Sequence, residues 1–367
     1  MDRIAVVGWA QTGHRTAVPE LSSAEMIFET VSRALEHAGG GIDAVDMVIG
    51  AGDDCLDGRS ISSVFVVEHA GAFLKEESKV EEDGAFAAAY AWMRIAGGGG
   101  DTALVYGYGK PSESAPGSYS ALIADPFYLR PLGMDARLAA ALSADAYARA
   151  RGLAPEVSAE IAARNLASAA ANPNASRRIS PSAREVLSAP RAIGGLSDLE
   201  LPATADGCCA ILLARESALS RFKRRTPSWI RGLGWATDGP YLGHRDLTKL
   251  ESAGIAAIKA YQMAGIGDPT GAFDLAELSP ASSVHELLLA DALGLARGGK
   301  TVLNPSGGTL GADPIMATGL VRLAEAASQL AGEAGPIQVP GARRAVVHGA
   351  CGLAMQSNIV FCLEGGA

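Results

Sequence analysis

Short apolar runs and amphipathic helical repeats alternate along almost the whole of this chain. Residues 4–7 and 47–50 are short apolar runs, and between them residues 23–37 repeat apolar side chains at intervals of three and four. Such alternation is typical of strand–helix–strand units around a buried sheet, the α/β class. The same criteria predict strands at 79–82, 103–106, 210–213, 229–233, 273–278, 301–303, 343–347 and 359–363, and helices at 61–73, 85–95, 250–264, 284–295 and 314–330.

One long excursion, at about 110–202, interrupts the alternation. It is rich in Pro and Ser and contains two Ala-rich helical patterns, near 139–151 and 156–171. Long excursions in α/β chains usually cover ligand sites. Beyond it the pattern repeats, so we predict one topology used twice, with an N-terminal half at 1–222 that includes the excursion and a C-terminal half at 223–367.

Composition excludes several classes of protein. Of the 367 residues, 48% are apolar and 19% are charged, which is the profile of a packed globular chain. The formal charge of -9 argues against nucleic acid as a partner, because phosphate contacts need clustered Lys and Arg. No sequence window has the roughly 20 uninterrupted apolar residues of a membrane span, and residues 1–8 lack the pattern of a signal peptide. We therefore expect a cytoplasmic protein without membrane insertion.

Several short segments agree, in order and spacing, with a known family. They are Val7-Gly8, Asp206-Gly207, Glu277, Glu286-Leu287-Leu288, Leu303-Asn304-Pro305-Ser306-Gly307-Gly308, Asp313-Pro314, Ala317-Thr318-Gly319 and Cys351-Gly352. This ordered set resembles the thiolase superfamily, most of all its sterol-carrier-type lipid-transfer branch. The resemblance spans nearly the whole chain. It implies an α/β, thiolase-like fold of two similar βαβαβαββ halves in a five-layer αβαβα body, a homodimer, and a site where the halves meet.

Three of the four catalytic elements that this resemblance implies are replaced. Gly84 stands where the family carries its nucleophilic cysteine, at the N-terminus of a buried helix. Ser279 opens the segment that replaces an Asn-Glu-Ala-Phe sequence, and Asp313 stands in place of a histidine. Only Cys351, before Gly352, keeps the family residue. Because no side chain at position 84 can form a covalent acyl-enzyme, we do not expect ordinary thiolase chemistry.

Cys351, Asp313 and His348 are the candidate catalytic residues. Cys351 matches the family's acid/base cysteine, Asp313 is a carboxylate whose pKa burial among like charges would raise, and His348 follows a predicted strand, where α/β sites are built. Structural alternatives stay open for two of them. Asp313 precedes Pro314 as a helix N-cap would, and His348 can be a hydrogen-bonded core histidine.

Five further residues are assigned to substrate contact near the same junction. They are Asp83, Gly84, Ser279, Gly352 and Tyr241. Asp83 ends the acidic run 81–83. Tyr241 follows the first strand of the second half, where a surface-loop tyrosine is the alternative.

Phosphorylated ligands need positive charge, and four arginines are candidates for it. Arg224 and Arg225 lie in a charged linker, and Arg177 and Arg178 lie in the excursion. A solvated linker is the alternative for the first pair. The five cysteines show neither disulfide nor metal-ligand spacing. We expect no metal and no covalently bound cofactor, with coenzyme A entering as part of the substrate.

The resemblance supports three hypotheses about function. The first is an enzyme, a lyase or acyltransferase, that cleaves or forms a C–C bond of an acyl-CoA by a non-covalent retro-aldol or Claisen-type route. The second is a catalytically inactive, CoA-ester-binding scaffold subunit of a heteromeric complex. The third, ranked last, is a thiolase that uses Cys351 as nucleophile. Some relatives act in lipid metabolism and steroid degradation together with a small zinc-ribbon/OB-fold protein, so we expect such a partner here.

Overall fold

The computed structural model describes residues 3–114, 116–224, 226–296 and 298–366. Within these residues ten strands form one mixed sheet and two short strands form a separate hairpin. The sheet strands are β1 (Ile4–Gln11), β2 (Met47–Ala51), β3 (Glu76–Val80), β4 (Thr102–Gly109), β7 (Gly207–Arg215), β8 (Ser228–Thr237), β9 (Leu275–Glu277), β10 (Val302–Leu303), β11 (Arg344–Cys351) and β12 (Ser357–Gly365). The hairpin strands are β5 (Arg191–Ile193) and β6 (Leu196–Ser197).

The sheet consists of two units with the same strand order. Across it the order is β3-β2-β4-β7-β1, then β8-β12-β11-β9-β10. If the five strands of each unit are numbered in chain order, both units have the strand order 3-2-4-5-1, counted from the free edge of the sheet towards its centre. In both units strands 2, 3 and 4 pair in parallel, and strands 4, 5 and 1 pair antiparallel. The units join at β1 and β8 through two residue pairs. The prediction of two similar halves is confirmed.

Helices lie on both faces of each unit. They are α1 (Ser23–Ala38), α2 (Asp54–Asp57), α3 (Gly84–Ala96), α4 (Pro116–Leu122), α5 (Ala136–Arg151), α6 (Pro155–Ala171), α7 (Ala183–Ser188), α8 (Glu251–Ala264), α9 (Ser283–Ala292), α10 (Gly308–Gly311) and α11 (Thr318–Ala331). None of the described helices is long and apolar enough to cross a membrane.

Three apolar cores define the layers. The central core joins α3 and α11 to side chains from both sheet units, such as Ile211 and Phe361. An outer core packs α1 on the first unit, and another packs α8 and α9 on the second. The five layers are thus α1, the first sheet unit, α3 with α11, the second sheet unit, and α8 with α9. This is the expected five-layer αβαβα arrangement.

The excursion leaves and rejoins the first unit at neighbouring points. β4 and β7 are paired strands, and Gly109 at the end of β4 lies opposite Gly207 at the start of β7. Between them run α4 to α7 and the hairpin β5–β6. The helices predicted at 139–151 and 156–171 are present as α5 and α6. This placement sets the excursion over the carboxyl ends of the parallel strands.

The prediction of a helix at 61–73 is wrong. Residues 62–65 form one 3-10 turn, and turns follow. The Asp54 carboxylate accepts hydrogen bonds from the N–H groups of Ile61 (2.6 Å) and Ser62 (2.9 Å), and Ile61 has a φ of 53°. The left-handed backbone of Ile61 departs from helical geometry at the first predicted residue. The apolar side chains of Ile61, Val64 and Phe65 are consequently exposed.

Candidate functional site

A cavity of about 610 Å³ lies between the central helices, the second sheet unit and the excursion. Its volume falls in the range of about 300–1,000 Å³ that small-molecule sites occupy. The polar end of the cavity carries the buried residues Asp83, Ser279 and Thr318 and the half-buried residues Asp313 and Cys351. Parts of α4, α5 and residues 198–204 line the rest. The structure thus brings together six of the twelve predicted residues, namely Asp83, Ser279, Asp313, Cys351, Gly352 and Arg177.

The carboxyl group of Asp83 caps two helices at once. Oδ1 accepts a hydrogen bond from the Ala85 N–H in α3, and Oδ2 accepts one from the Gly319 N–H in α11, each at 2.9 Å. A Cβ at position 319 would lie 2.1 Å from Oδ1, so the close approach requires glycine. Burial, with repulsion from Asp313 and Glu82, raises the pKa of Asp83 to about 7. This group can therefore give or take a proton near neutral pH.

Gly84, the first residue of α3, has no room for a side chain. A Cβ there would lie 2.7 Å from the Cβ of Leu320 in α11. The Gly84 N–H donates to the Met316 carbonyl at 2.8 Å, and this hydrogen bond holds the start of α3 close to α11. The N-terminus of α3 thus supplies no nucleophilic side chain at position 84.

Asp313 lies in the strand-like segment before α11 and lines the cavity. Its N–H donates to the Ala203 carbonyl at 2.8 Å, and its Oδ1 accepts from the Thr318 hydroxyl at 2.7 Å. Because α11 begins at Thr318 and not at Pro314, the N-cap alternative is wrong. Burial raises the pKa of Asp313, while Thr318 and Arg322 oppose this shift.

Cys351, the last residue of β11, also lines the cavity. Burial, followed by the charges of Asp83 and Glu82, raises the pKa of its thiol to about 12, against donation from the N–H groups of Asp83 and Gly352. The thiol is therefore protonated at neutral pH. It suits a hydrogen-bond or proton donor better than a nucleophile.

His348 is not among the described residues that line the cavity, whereas Ser279 is. Side chains alternate along β11, and His348 faces the outer layer, where its Nε2 lies 2.9 Å from Asn358 Oδ1. Its Nδ1 accepts from the Ser279 N–H at 3.4 Å, and the Ser279 hydroxyl donates to the His348 carbonyl at 2.9 Å. Burial lowers the pKa of His348 to about 4. This neutral histidine positions Ser279, as in the structural alternative.

Two other predicted substrate contacts differ in position. Gly352 lines the cavity and has a φ of 80°, which glycine tolerates. Tyr241 lies outside the described lining, with its hydroxyl 3.4 Å from Asp125 Oδ2 and its ring packed edge-on against Tyr128.

Arg224 is absent from the described lining of the cavity. The Arg224 guanidinium lies 4.3 Å from the ring centroid of Trp9 and donates to Glu333 Oε2 at 3.1 Å. Arg225 lies outside the described residues. Of the excursion pair, Arg177 lines the cavity, and Arg178 is absent from the described lining.

Sequence reasoning missed much of the lining, including Tyr119, Arg137 and Asp198. Tyr119, in the middle of α4, lines the cavity and donates to Asp53 Oδ2 at 3.1 Å. Arg137, in the first turn of α5, and Asp198 line it as well. The signal for Arg137 was a cation beside Asp135 at the start of an Ala-rich helix.

A buried ion pair between Arg322 and Glu277 lies outside the described lining of the cavity and connects the elements that carry the site. Arg322 Nη1 lies 3.0 Å from Glu277 Oε2 and 2.6 Å from Ser306 Oγ. Burial raises the pKa of Glu277 to about 7. The Asn-Pro-Ser-Gly-Gly segment thus ties β9 to α11 and does not itself form the described polar end of the cavity.

Comparisons with known proteins agree with this geometry. A family model described as thiolase C-terminal domain-like matches residues 234–364. Acetyl-CoA acetyltransferase of Methanothermobacter thermautotrophicus is 27% identical over 372 residues, covering 95% of this chain and 96% of that protein. Sterol carrier protein 2 of Gallus gallus is 34% identical over 225 residues, covering 54% of this chain. The match spans only 40% of the length of the sterol carrier protein.

A solved structure shares the fold over nearly the full length of both chains. The Ltp2-ChsH2(DUF35) aldolase superposes with a TM-score of 0.81 at 20% identity, covering 99% of this chain and 97% of that one.

Proposed function

We propose that this chain, as a member of the thiolase superfamily in its lipid-transfer-type branch, breaks or forms a C–C bond beside an acyl-CoA thioester without an acyl-enzyme. One observation carries the proposal. The cavity unites two carboxyl groups of raised pKa, Asp83 and Asp313, with the protonated thiol of Cys351, while Gly84 offers no nucleophile.

In the cleavage direction the substrate is a β-hydroxyacyl-CoA. The Asp313 carboxylate accepts the proton of the β-hydroxyl group, and the electron pair of the Cα–Cβ bond moves to Cα and the thioester oxygen. The β-carbon leaves as a ketone or aldehyde. The Cys351 thiol donates a hydrogen bond to the enolate oxygen, and protonated Asp83 delivers a proton to Cα. The products are a shortened acyl-CoA and a free carbonyl compound.

We also propose a homodimer and a small zinc-ribbon/OB-fold partner. The partner proposal is supported by the neighbour solved as the Ltp2-ChsH2(DUF35) aldolase.

The test is mass spectrometry after incubation with a series of β-hydroxyacyl-CoA esters, with and without an OB-fold partner. We expect a shortened CoA ester, a free ketone or aldehyde, and no acyl adduct. Asp313→Asn should lower kcat by about 100-fold to 10,000-fold, and Cys351→Ala by about 100-fold. Cys55→Ala, at an exposed cysteine outside the described lining, is the matched control and should keep full activity.

Two outcomes contradict the proposal. An acyl adduct on Cys351 identifies a thiolase. Tight binding of CoA esters without product in any pairing identifies a scaffold subunit.

A further inference from the structure

A second cavity, of about 540 Å³, lies between α1, the end of β1, the residues after α6 and the C-terminal end of α11. This volume also falls within the range of about 300–1,000 Å³ that small-molecule sites occupy. No described residue lines both this cavity and the one that contains Asp83 and Cys351. A ligand in the second cavity is therefore separate from the proposed reaction.

The Glu325 side chain lies in the wall of the second cavity. Glu325 is 4% exposed, and its Oε1 accepts hydrogen bonds from Gln11 Nε2 (2.8 Å) and Asn172 Nδ2 (3.2 Å). The Asn174 N–H donates to Asn172 Oδ1 at 3.0 Å, which orients the amide nitrogen of Asn172 towards Glu325. Glu325 Oε2 accepts no hydrogen bond from the described residues, and it is not enclosed by them. This buried carboxylate therefore presents one oxygen to the cavity.

The buried charges around Glu325 lack a cation. Arg322 is paired with Glu277, its Nη1 lying 3.0 Å from Glu277 Oε2, and no described basic side chain forms an ion pair with Glu325. His14, whose Nε2 lies 2.9 Å from Gln11 Oε1, is neutral, because burial and the charge of Arg322 lower its pKa to about 3. Two buried carboxyl groups thus share one buried guanidinium group. An uncompensated buried carboxylate is costly, and water in the cavity would solvate it without adding positive charge.

The other charges in the cavity wall also favour a cation. The described lining has one guanidinium group, that of Arg33, against three carboxylates, those of Glu36, Glu325 and Glu333. Arg224, outside this lining, engages Glu333, with Nη2 lying 3.0 Å from Oε1. His37 adds no positive charge at neutral pH, because burial lowers its pKa. Even with Arg224 counted, the carboxylates exceed the guanidinium groups by one.

We propose that the second cavity binds a small organic cation, a primary ammonium or guanidinium group on an alkyl stem, with Glu325 as its counter-ion. The cationic group donates a hydrogen bond to Glu325 Oε2 and supplies the positive charge that the buried cluster lacks. One free carboxylate oxygen suits such a group better than a metal ion, which needs several oxygen ligands. The alkyl stem contacts apolar residues of the lining, which include Trp9, Ala10, Ala334 and Ile337.

The experiment measures dissociation constants by ligand-observed NMR titration. The probes are n-butylammonium and n-butylguanidinium, with neutral n-butanol and anionic butyrate as matched compounds. The unmodified protein should bind the two cations and neither of the others. Glu325→Gln, which keeps the side-chain volume, should weaken binding of the cations by about tenfold or more, because it removes a hydrogen bond to a charged group. The control Glu160→Gln removes an exposed carboxylate of α6 outside the described lining and should change neither constant.

Arg33→Gln provides a second test that changes no buried residue. Arg33 is exposed and lines the cavity, so its charge opposes a cationic ligand. Its removal should tighten binding of both cations several-fold, most at low salt, where screening is weakest. Arg184→Gln, at an exposed arginine of α7 outside the described lining, is the matched control and should have no effect.

Any one of four results overturns the inference. They are no binding of either cation to the unmodified protein, binding of n-butanol as tightly as n-butylammonium, unchanged cation binding in Glu325→Gln, and weaker cation binding in Arg33→Gln. Displacement of the probes by potassium chloride, beyond that by sodium chloride at the same ionic strength, would instead identify an inorganic cation site and overturn the assignment to an organic ligand.

Discussion

The two sheet units share a strand order but differ in the connection between their fourth and fifth strands. In the second unit residues 352–356 join β11 to β12, whereas in the first unit residues 110–206 join β4 to β7. The short connection contributes Gly352, and the long one contributes Tyr119, Arg137 and Asp198 to the same cavity. The duplicated scaffold therefore sets the site's position, and the asymmetric connection supplies much of its wall.

The equivalent helices α3 and α11 differ as well. Both follow the third strand of their unit, yet α3 has its own N-cap, Asp83, and α11 begins after Ala317 without a side-chain cap. The second carboxyl oxygen of Asp83 serves α11 instead. One side chain thus stabilises corresponding helices from both halves.

Replacing Asp83 should have the largest effect on this shared arrangement. Asp83→Ala leaves the buried N–H groups of Ala85 and Gly319 without an acceptor, which costs about 2–4 kcal/mol of unfolding free energy. Asp83→Asn keeps one acceptor and should lose about half as much. Urea unfolding measures both. A loss below about 1 kcal/mol for Asp83→Ala would contradict the double cap.

Filling position 84 should have the next largest effect. Gly84→Ala places a Cβ against Leu320, and this overpacking should cost about 1–3 kcal/mol. The check is a double-mutant cycle with Leu320→Gly, in which removal of the Leu320 Cβ relieves the clash and the coupling is favourable. Additive losses would contradict the contact between α3 and α11.

The pH dependence of stability tests the same carboxyl. Folding raises the pKa of Asp83 from its usual value near 4 to about 7, so the folded state binds more protons across this range. The unfolding free energy should therefore fall as pH rises from about 4 to about 7, by at most about 1.4 kcal/mol per pH unit for this group, and level off above. Asp83→Asn should make the slope shallower than in the parent protein. An unchanged slope would contradict the shift.

The smallest effect is expected at Leu74, in the connection between the second and third strands of the first unit. In the first unit this connection is irregular and exposes Leu74, which is 90% accessible, whereas in the second unit it is α9, with Leu289 fully buried. Leu74→Ala should change the unfolding free energy by less than about 0.5 kcal/mol, and Leu289→Ala should cost about 2–5 kcal/mol. Thermal unfolding of both variants checks the contrast. A large loss at Leu74 would indicate that the surface is covered in solution.

Most of the sheet could be predicted from sequence because apolar runs mark buried strands directly. The strands at 103–106 and 359–363 fall inside β4 and β12. The helix at 61–73 could not be excluded, because its apolar spacing is helical. The apolar pattern does not reveal the left-handed backbone of Ile61, whose N–H donates to the Asp54 carboxylate seven residues earlier.

The sequence predicted those site residues whose positions a family motif fixes. It missed the residues whose place in the site depends only on the folded structure. Asp83, Asp313 and Cys351 meet in the cavity. His348 does not, because strand alternation places its side chain on the opposite face from Cys351. Arg137 lies in a segment without a motif, and its place in the cavity lining depends on the fold of the excursion.

The pairing of Gly109 with Gly207 has a further consequence. Because the excursion begins and ends at adjacent points, its closure entropy grows only with the logarithm of its length, by about 0.6 kcal/mol for each doubling. Lengthening this connection perturbs the β4–β7 ladder very little. The wall of the cavity can therefore diversify in evolution while the scaffold beneath it stays constant.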